Sequence, residues 1–311
     1  MQLVSSILIL AIALGTYASA VRVGSFNLHQ YGSKKAANPS LTNTVAQIIC
    51  DFDLGIIQEI SDVSLKAPYV LFDELNKVSP SPYTMTLSER AGRSNTKEQY
   101  IFFNRESTSG LEVVDAYIHP DTEDNFERPP FIGTFKVKKP GNSGVKLFTI
   151  MDVHLRPDGA YTELLAMRYV IRDFISSHPQ YFDQTETSLQ EALDRNVVDA
   201  TPDNKPSLKS NHPILIVGDF NADCSYISPT RQKLLQTINY VDFSWVITNE
   251  VKTNTRQTCT YDRILVNGDN FVNAIVPNSN TTVNIAEKFG FNLAQTLAIS
   301  DHIPIKFDIN W

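Results

Sequence analysis

Short apolar runs that stop on acid, amide or imidazole side chains constrain this chain more than any other feature. Ile214 to Val217 is apolar and runs straight into Gly218-Asp219-Phe220-Asn221. VRVGSFN ends on Asn27, LGIIQE on Gln58-Glu59 and FTIMDVH on His154. YDRILV carries Asp262 near its start, and Ser300-Asp301-His302 stands just ahead of the last apolar run. One such ending is a strand entering an Asx turn, because Asp and Asn favour turns for their own hydrogen-bonding reasons. Recurring along the chain, the pattern is that of a site assembled on the loops at strand ends, where a rigid scaffold positions reactive groups.

The runs read as strands over Arg22–Asn27, Leu54–Glu59, Tyr100–Asn104, Leu111–Tyr117, Phe131–Val137, Val145–Val153, Pro213–Asp219, Tyr261–Val266 and Ile303–Ile309. Leu41, Val45, Ile48 and Ile49 form one apolar helical face, and Thr162–Phe174 repeats at helical spacing. Strands interleaved with helices predict an α/β architecture with helices outside the sheets. With 42% apolar and 20% charged residues the chain has ample core. Residues 21–311 therefore read as a single catalytic domain, with a polar insertion at about 176–211. Ahead of it, the apolar run Ile7–Leu14 and the small residues Ala18-Ser19-Ala20 read as a secretory signal peptide over 1–20. That run is too short to span a bilayer, so the expected protein is secreted and extracellular, with no membrane anchor.

Three cysteines fit an oxidising compartment, where two can pair and one is left over. A bridge between Cys224 and Cys259 would clamp a loop beside the suspected site, while Cys50 ends a helix-like run and reads as a buried thiol. Asn280-Thr281-Thr282 is a glycosylation sequon that suits a surface loop. A net charge of −7 and a pI near 5.4 argue against a tight nucleic-acid-binding scaffold. They do not exclude an enzyme that meets DNA briefly, since bound divalent cations locally invert the field.

Residue type narrows the chemistry. Asn27, Glu59, Asp219, Asn221 and Asp301 offer oxygen and no thiolate, which suits Mg²⁺ or Mn²⁺, with Ca²⁺ also compatible, and suits zinc poorly. His154 and His302 can move protons near neutral pH, and a carboxylate beside an imidazole fixes its tautomer and raises its basicity. A hard cation with two imidazoles fits attack of water on a phosphodiester. His29, His119, His178 and His212 lie in irregular segments and read as solvated.

From Arg22 to Ile309 the chain resembles the secreted deoxyribonuclease I family of the endonuclease/exonuclease/phosphatase fold. Phe26-Asn27, Gln58-Glu59, Gly218–Tyr226 (GDFNADCSY), Tyr261–Ile264 (YDRI) and Ala298–His302 (AISDH) carry the resemblance. It implies a four-layered α/β/β/α sandwich with two central, mostly antiparallel sheets. It also implies a monomeric endonuclease that cuts double-stranded DNA to 5′-phosphate ends, dependent on Mg²⁺ and helped by Ca²⁺. Carried over by position, Glu98 with His154 and Asp262 with His302 would be the catalytic pairs. Asn27, Glu59, Asp219, Asn221 and Asp301 would hold the metal and the scissile phosphate, and Arg128 and Asn221 would contact DNA. Cys224–Cys259 would be the family's stabilising disulfide.

The departures are specific. Ser61 and Thr96 stand where the family places an Arg and a Tyr that reach into the minor groove, which leaves Arg93 as a backbone contact in that loop. The calcium loops are only partly matched around Asp121 and Asp124, and Met85-Thr86-Leu87 replaces the actin-gripping segment, so actin binding is not expected. Two other functions use the same residues: hydrolysis of a phospholipid or inositol phosphate, and a non-catalytic binding protein on this scaffold. NADCSY and CTYDR argue against the first, and the intact polar set argues against the second.

Overall fold

A computed structural model describes residues 20–94, 96–182, 212–231 and 243–311. Nearly all of the expected signal peptide, and the expected insertion beyond Phe182, lie outside the described residues. Two six-stranded sheets form the centre. The first runs in the order β11 (Thr281–Thr282), β12 (Ile305–Ile309), β1 (Val21–Tyr31), β2 (Leu54–Ile60), β4 (Gln99–Asn104), β3 (Thr84–Leu87). The second runs β5 (Leu111–Ile118), β6 (Phe131–Val137), β7 (Leu147–His154), β8 (Ile214–Asp219), β10 (Asp262–Val266), β9 (Ser244–Trp245). All pairings are antiparallel except β1 with β2 and β7 with β8.

Side chains alternate between two environments along each central strand, as the period of two requires. In β8, Leu215 and Val217 join the layer between the sheets, where Phe102, Phe131, Phe135 and Phe148 also pack. Ile214 and Ile216 face outward onto the helix Ala160–Ser177, through Met167, Val170, Ile171 and Phe174. The first sheet is covered on its outer face by the helices Pro39–Ile49 and Ala67–Val78, whose Val45, Ile48, Ile49, Leu71 and Leu75 meet Phe26, Ile57 and Phe103. Helix, sheet, sheet, helix is the expected sandwich. The helix at Pro39 starts where chemistry favours it: Asn38 accepts from the Leu41 amide, and proline stands in the first turn.

The strands read from the sequence all form, with boundaries shifted by a few residues. The short strands β3, β9 and β11 and the helix Ala67–Val78 were not among the expected elements. Two histidine expectations are corrected. His119 is only 6% exposed and His212 only 2%, so neither is solvated. His212 stacks on Tyr181 at 4.7 Å, and burial lowers its pKa to about 4. Cys224 is bonded to Cys259, while Cys50 is a half-buried free thiol.

Candidate active site

Topology brings the polar strand ends together. In the first sheet β1 and β2 run parallel and finish at one edge, where β4 and β12, antiparallel to them, begin. That edge carries Asn27 and Glu59 near strand ends, and Glu98 and His302 just before strand starts. In the second sheet β7 and β8 end together, with His154 in register with Asp219, and β10 starts with Asp262 opposite Asp219. The two edges face each other across a cleft of about 480 Å³ lined by Glu59, His154, Asp219, Asn221, Asp301 and His302 among others.

The backbone is bent to achieve this. Glu59 has φ +60°, Asn221 +48°, and His29 and Gln30 +46° and +58°, all in the left-handed region that costs non-glycine residues energy. Gly218 has φ +129°, and a Cβ on it would lie 2.1 Å from the Val153 carbonyl oxygen. Only glycine lets β8 run that close to β7 just before Asp219 is presented.

Asp219 sits at the centre, 1% exposed. Its Oδ2 accepts from Asn27 Nδ2 and from Asn221 Nδ2, each at 3.1 Å, and its Oδ1 accepts from the Asn221 amide at 2.9 Å. Asn27 Nδ2 also donates to Glu59 Oε1 at 2.9 Å, so a single amide ties carboxylates of the two sheets together. The His29 amide donates to Asn27 Oδ1 at 2.8 Å, which fixes that amide's orientation and makes Asn27 a donor towards the cleft. His154 and His302 flank the centre as mirror pairs. His154 Nδ1 lies 2.7 Å from Glu98 Oε2, and His302 Nδ1 lies 2.8 Å from Asp262 Oδ2. The opposite nitrogens face inward, with Nε2 of His154 and of His302 at 3.7 and 3.5 Å from Asp219 Oδ2.

Burial disfavours charge on both imidazoles, yet the carboxylates prevail. Glu98 and Glu59 raise His154, and Asp262 and Asp219 hold His302 well above the usual histidine range. Burial likewise pushes up the Asp262 carboxyl, against the pull of His302. Glu59 is held low despite its burial by His154 and the Asn27 hydrogen bond. Asp301 lies at the rim, 2.9 Å from His29 Nδ1; burial alone would raise it, but that contact and His302 hold it at about 2.

Glu59 and Asp219, with His154 beside them, offer ligand atoms within 4.8 Å of one another. Two carboxylates with room for water and a phosphate oxygen fit a hard divalent cation such as Mg²⁺. The loop around Asp121 and Asp124 does not fit Ca²⁺ in the same way. Both Asp121 carboxylate oxygens accept backbone amides of Asn125 and Phe126, and Asp124 Oδ1 and its carbonyl accept from the Arg93 guanidinium. Arg93 is thus ion-paired on the outer lip. Arg128 is 8% exposed, with Nε donating to the His154 carbonyl at 3.1 Å and lying 3.5 Å from Glu98.

His29 keeps the solvent exposure expected of it, at 43% of its side chain, but it also lines the cleft and pairs with Asp301. It stands two residues beyond Asn27, and that spacing was the available signal. Tyr226, Tyr261 and Arg256 also line the cleft without having been singled out.

A fold of two six-stranded sheets with carboxylates, amides and paired imidazoles at one edge defines a class, and this chain belongs to the Endonuclease/Exonuclease/phosphatase family, whose profile matches residues 24–302. Within it, the chain is 31% identical over 296 residues to Deoxyribonuclease-1-like 2 of Mus musculus, covering 94% of each chain. It is 30% identical over 312 residues to Deoxyribonuclease-1 of Homo sapiens, covering 98% of each. Among solved structures, the human Nocturnin catalytic domain with bound sulfate superposes with a TM-score of 0.55 at 13% identity, over 94% of this chain and 93% of that one. That likeness concerns the fold.

Proposed function

We propose that this chain is a secreted endonuclease that hydrolyses double-stranded DNA to 5′-phosphate ends with the help of Mg²⁺ or Mn²⁺. Family membership and similarity to deoxyribonuclease-1 proteins make it a hydrolytic nuclease acting on the phosphodiester bonds of DNA. The observation that carries the finer reading is the pair of imidazole–carboxylate couples aimed at one central carboxylate.

In this reading Glu59 and Asp219 hold the divalent cation, whose charge offsets that of the phosphoryl oxygens. One imidazole takes a proton from the attacking water, and the other supplies one to the leaving oxygen. Glu98 and Asp262 accept from the Nδ1 atoms, so each ring is held in one tautomer and one orientation. Asn27 and Asn221 keep Asp219 in place, and Asn221 and Asp301 complete the phosphate-facing wall. Arg128, packed against the Glu98–His154 couple, donates to the His154 carbonyl and lies 3.5 Å from Glu98, which helps hold that carboxylate in place. No calcium is proposed at Asp121 and Asp124, because both Asp121 carboxylate oxygens accept backbone amides and Asp124 is paired with Arg93.

Secretion is supported by the Cys224–Cys259 disulfide, which belongs to oxidising compartments. Among the described residues no helix is long and apolar enough to cross a membrane. A glycan at Asn280 would be attached to the same Nδ2 that donates to the Val246 carbonyl at 2.8 Å. The protein is taken to act as a monomer on 21–311, without actin as a partner.

The test is nicking of supercoiled plasmid. Purified protein with Mg²⁺ is expected to relax and then linearise it, and EDTA is expected to stop the reaction. His302→Ala is expected to lower the rate by about 10²–10⁴-fold, the usual worth of a general acid or base, and Asp219→Ala to lower it by about 10²-fold or more through loss of a cation ligand. Plasmid left intact by folded wild-type protein would refute the assignment.

A further inference from the structure

The cleft is lined by Glu59, Asp219 and Asp301, a poor reception for a polyanion. Arg256 is the only lysine or arginine among the described residues that line it. Nearby cations are committed elsewhere. Lys35 Nζ donates to the carbonyls of Leu28, His29 and Ile299 at 2.7–2.8 Å. Arg93 is held by Asp124, Arg128 by Glu98 and the His154 carbonyl, and Arg156 by Asp158 at 2.7 Å. The Arg256 side chain is exposed and makes no ion pair or hydrogen bond among the described residues.

The loop beneath it is firmly built. Asn254 Oδ1 accepts from the amides of Arg256 and Gln257 at 3.0 and 2.9 Å, a turn that fixes where Arg256 leaves the backbone. The Thr255 amide donates to the Asp301 carbonyl at 2.8 Å, and the Ile303 amide to the Thr253 carbonyl at 2.7 Å. Thr253 Oγ1 accepts from the amides of Tyr261 and Asp262, and Cys259 ties the loop's end to Cys224. Arg256 is therefore mounted on the frame that holds Asp262, Asp301 and His302.

We propose that Arg256 is a substrate-binding residue that captures a DNA backbone phosphate neighbouring the scissile one, on the Asp301–His302 side of the cleft. A guanidinium fork matches two phosphate oxygens and stays charged at every working pH. Arg256 thus supplies the one guanidinium among the described residues that line the cleft. The inference rests on the DNA-hydrolase reading above. Its competitor is an exposed arginine that serves only solubility.

The experiment measures plasmid or oligonucleotide cleavage by wild type, Arg256→Ala, Arg256→Lys and Lys77→Ala across NaCl concentrations at fixed Mg²⁺. Lys77 lies on the outer-layer helix Ala67–Val78, so its loss changes net charge equally without touching the cleft. Arg256→Ala is expected to raise KM about three- to tenfold with kcat close to wild type. The slope of log(kcat/KM) against log[NaCl] is expected to become shallower by about one, the signature of one lost phosphate contact. Arg256→Lys should keep the slope, and Lys77→Ala should change neither quantity. If Arg256→Ala keeps the wild-type KM and slope, or Lys77→Ala shifts them as much, the inference is wrong while the hydrolase reading stands. Wild-type protein that leaves DNA intact removes both together.

Discussion

Asp62 shows how much one side chain can organise. Its carboxylate accepts from the amides of Ser64, Lys66 and Ala67 and from the Ser64 hydroxyl, closing the turn into the helix Ala67–Val78. Burial alone would raise its pKa, but these donors outweigh it and hold the group at about 2. An unfolded aspartate titrates near 3.9, so the carboxylate stabilises the fold fully above about pH 4 and loses that contribution as pH falls towards 2. Asp62→Asn is expected to cost about 1–2 kcal/mol at pH 7 and to match wild type near pH 2. Melting curves of both proteins across that range check it, and a deficit that does not vary with pH would count against it. Individual residues were unevenly legible. Asn27, Glu59, His154, Asp219 and His302 stood out because each interrupts or borders an apolar run. Glu98 did not, since KEQY looks like any exposed strand start, and only the resemblance pointed to it. The burial of Arg128, His119 and His212 left no local mark, because polar side chains go inside only where distant partners exist to satisfy them.

At the scale of elements, the central strands were legible because burial on both faces produces continuous apolar runs. β9 and β11 have two residues each, too few for any period to register, and β3 is a four-residue edge strand. The helix Ala67–Val78 was hidden because Tyr69 and Val70, 54% and 40% exposed, blur its apolar stripe. The pairing of the cysteines was open to residue arithmetic and entered through the resemblance. Cys224 and Cys259 are 35 residues apart, and a closed span of that length is worth about 3–4 kcal/mol in the chain-entropy picture. Reduction is expected to lower the melting temperature by roughly 5–10 °C, and Cys50→Ser should respond identically. Calorimetry with and without reductant checks this. An unchanged melt, or a Cys50→Ser protein indifferent to reductant, contradicts it.

For the whole molecule, the site exists only because two sheets meet. The interlayer is aromatic, with Phe102 stacked on Phe131 at 4.7 Å and edge-on to Phe135 at 5.4 Å. Phe102→Ala is expected to cost about 3–5 kcal/mol and to lower activity at temperatures where the protein is still folded, since the mating of the sheets sets the distance from Asn27 to Asp219. Circular dichroism and cleavage assays run over the same temperature range test it; activity that persists up to the unfolding transition would argue otherwise. This stacking was illegible in the apolar pattern alone. Period and run length report which face of a strand is buried, not which distant strand covers it.

Strand β12, close to residue 309, slots between β11 and β1, and the segment just before it delivers His302. Synthesis must therefore have passed residue 309 before the second imidazole is held against its partner by the completed sheet. A chain that stops short of β12 lacks the strand that seats His302 beside Asp262, so it holds one imidazole–carboxylate couple and not two.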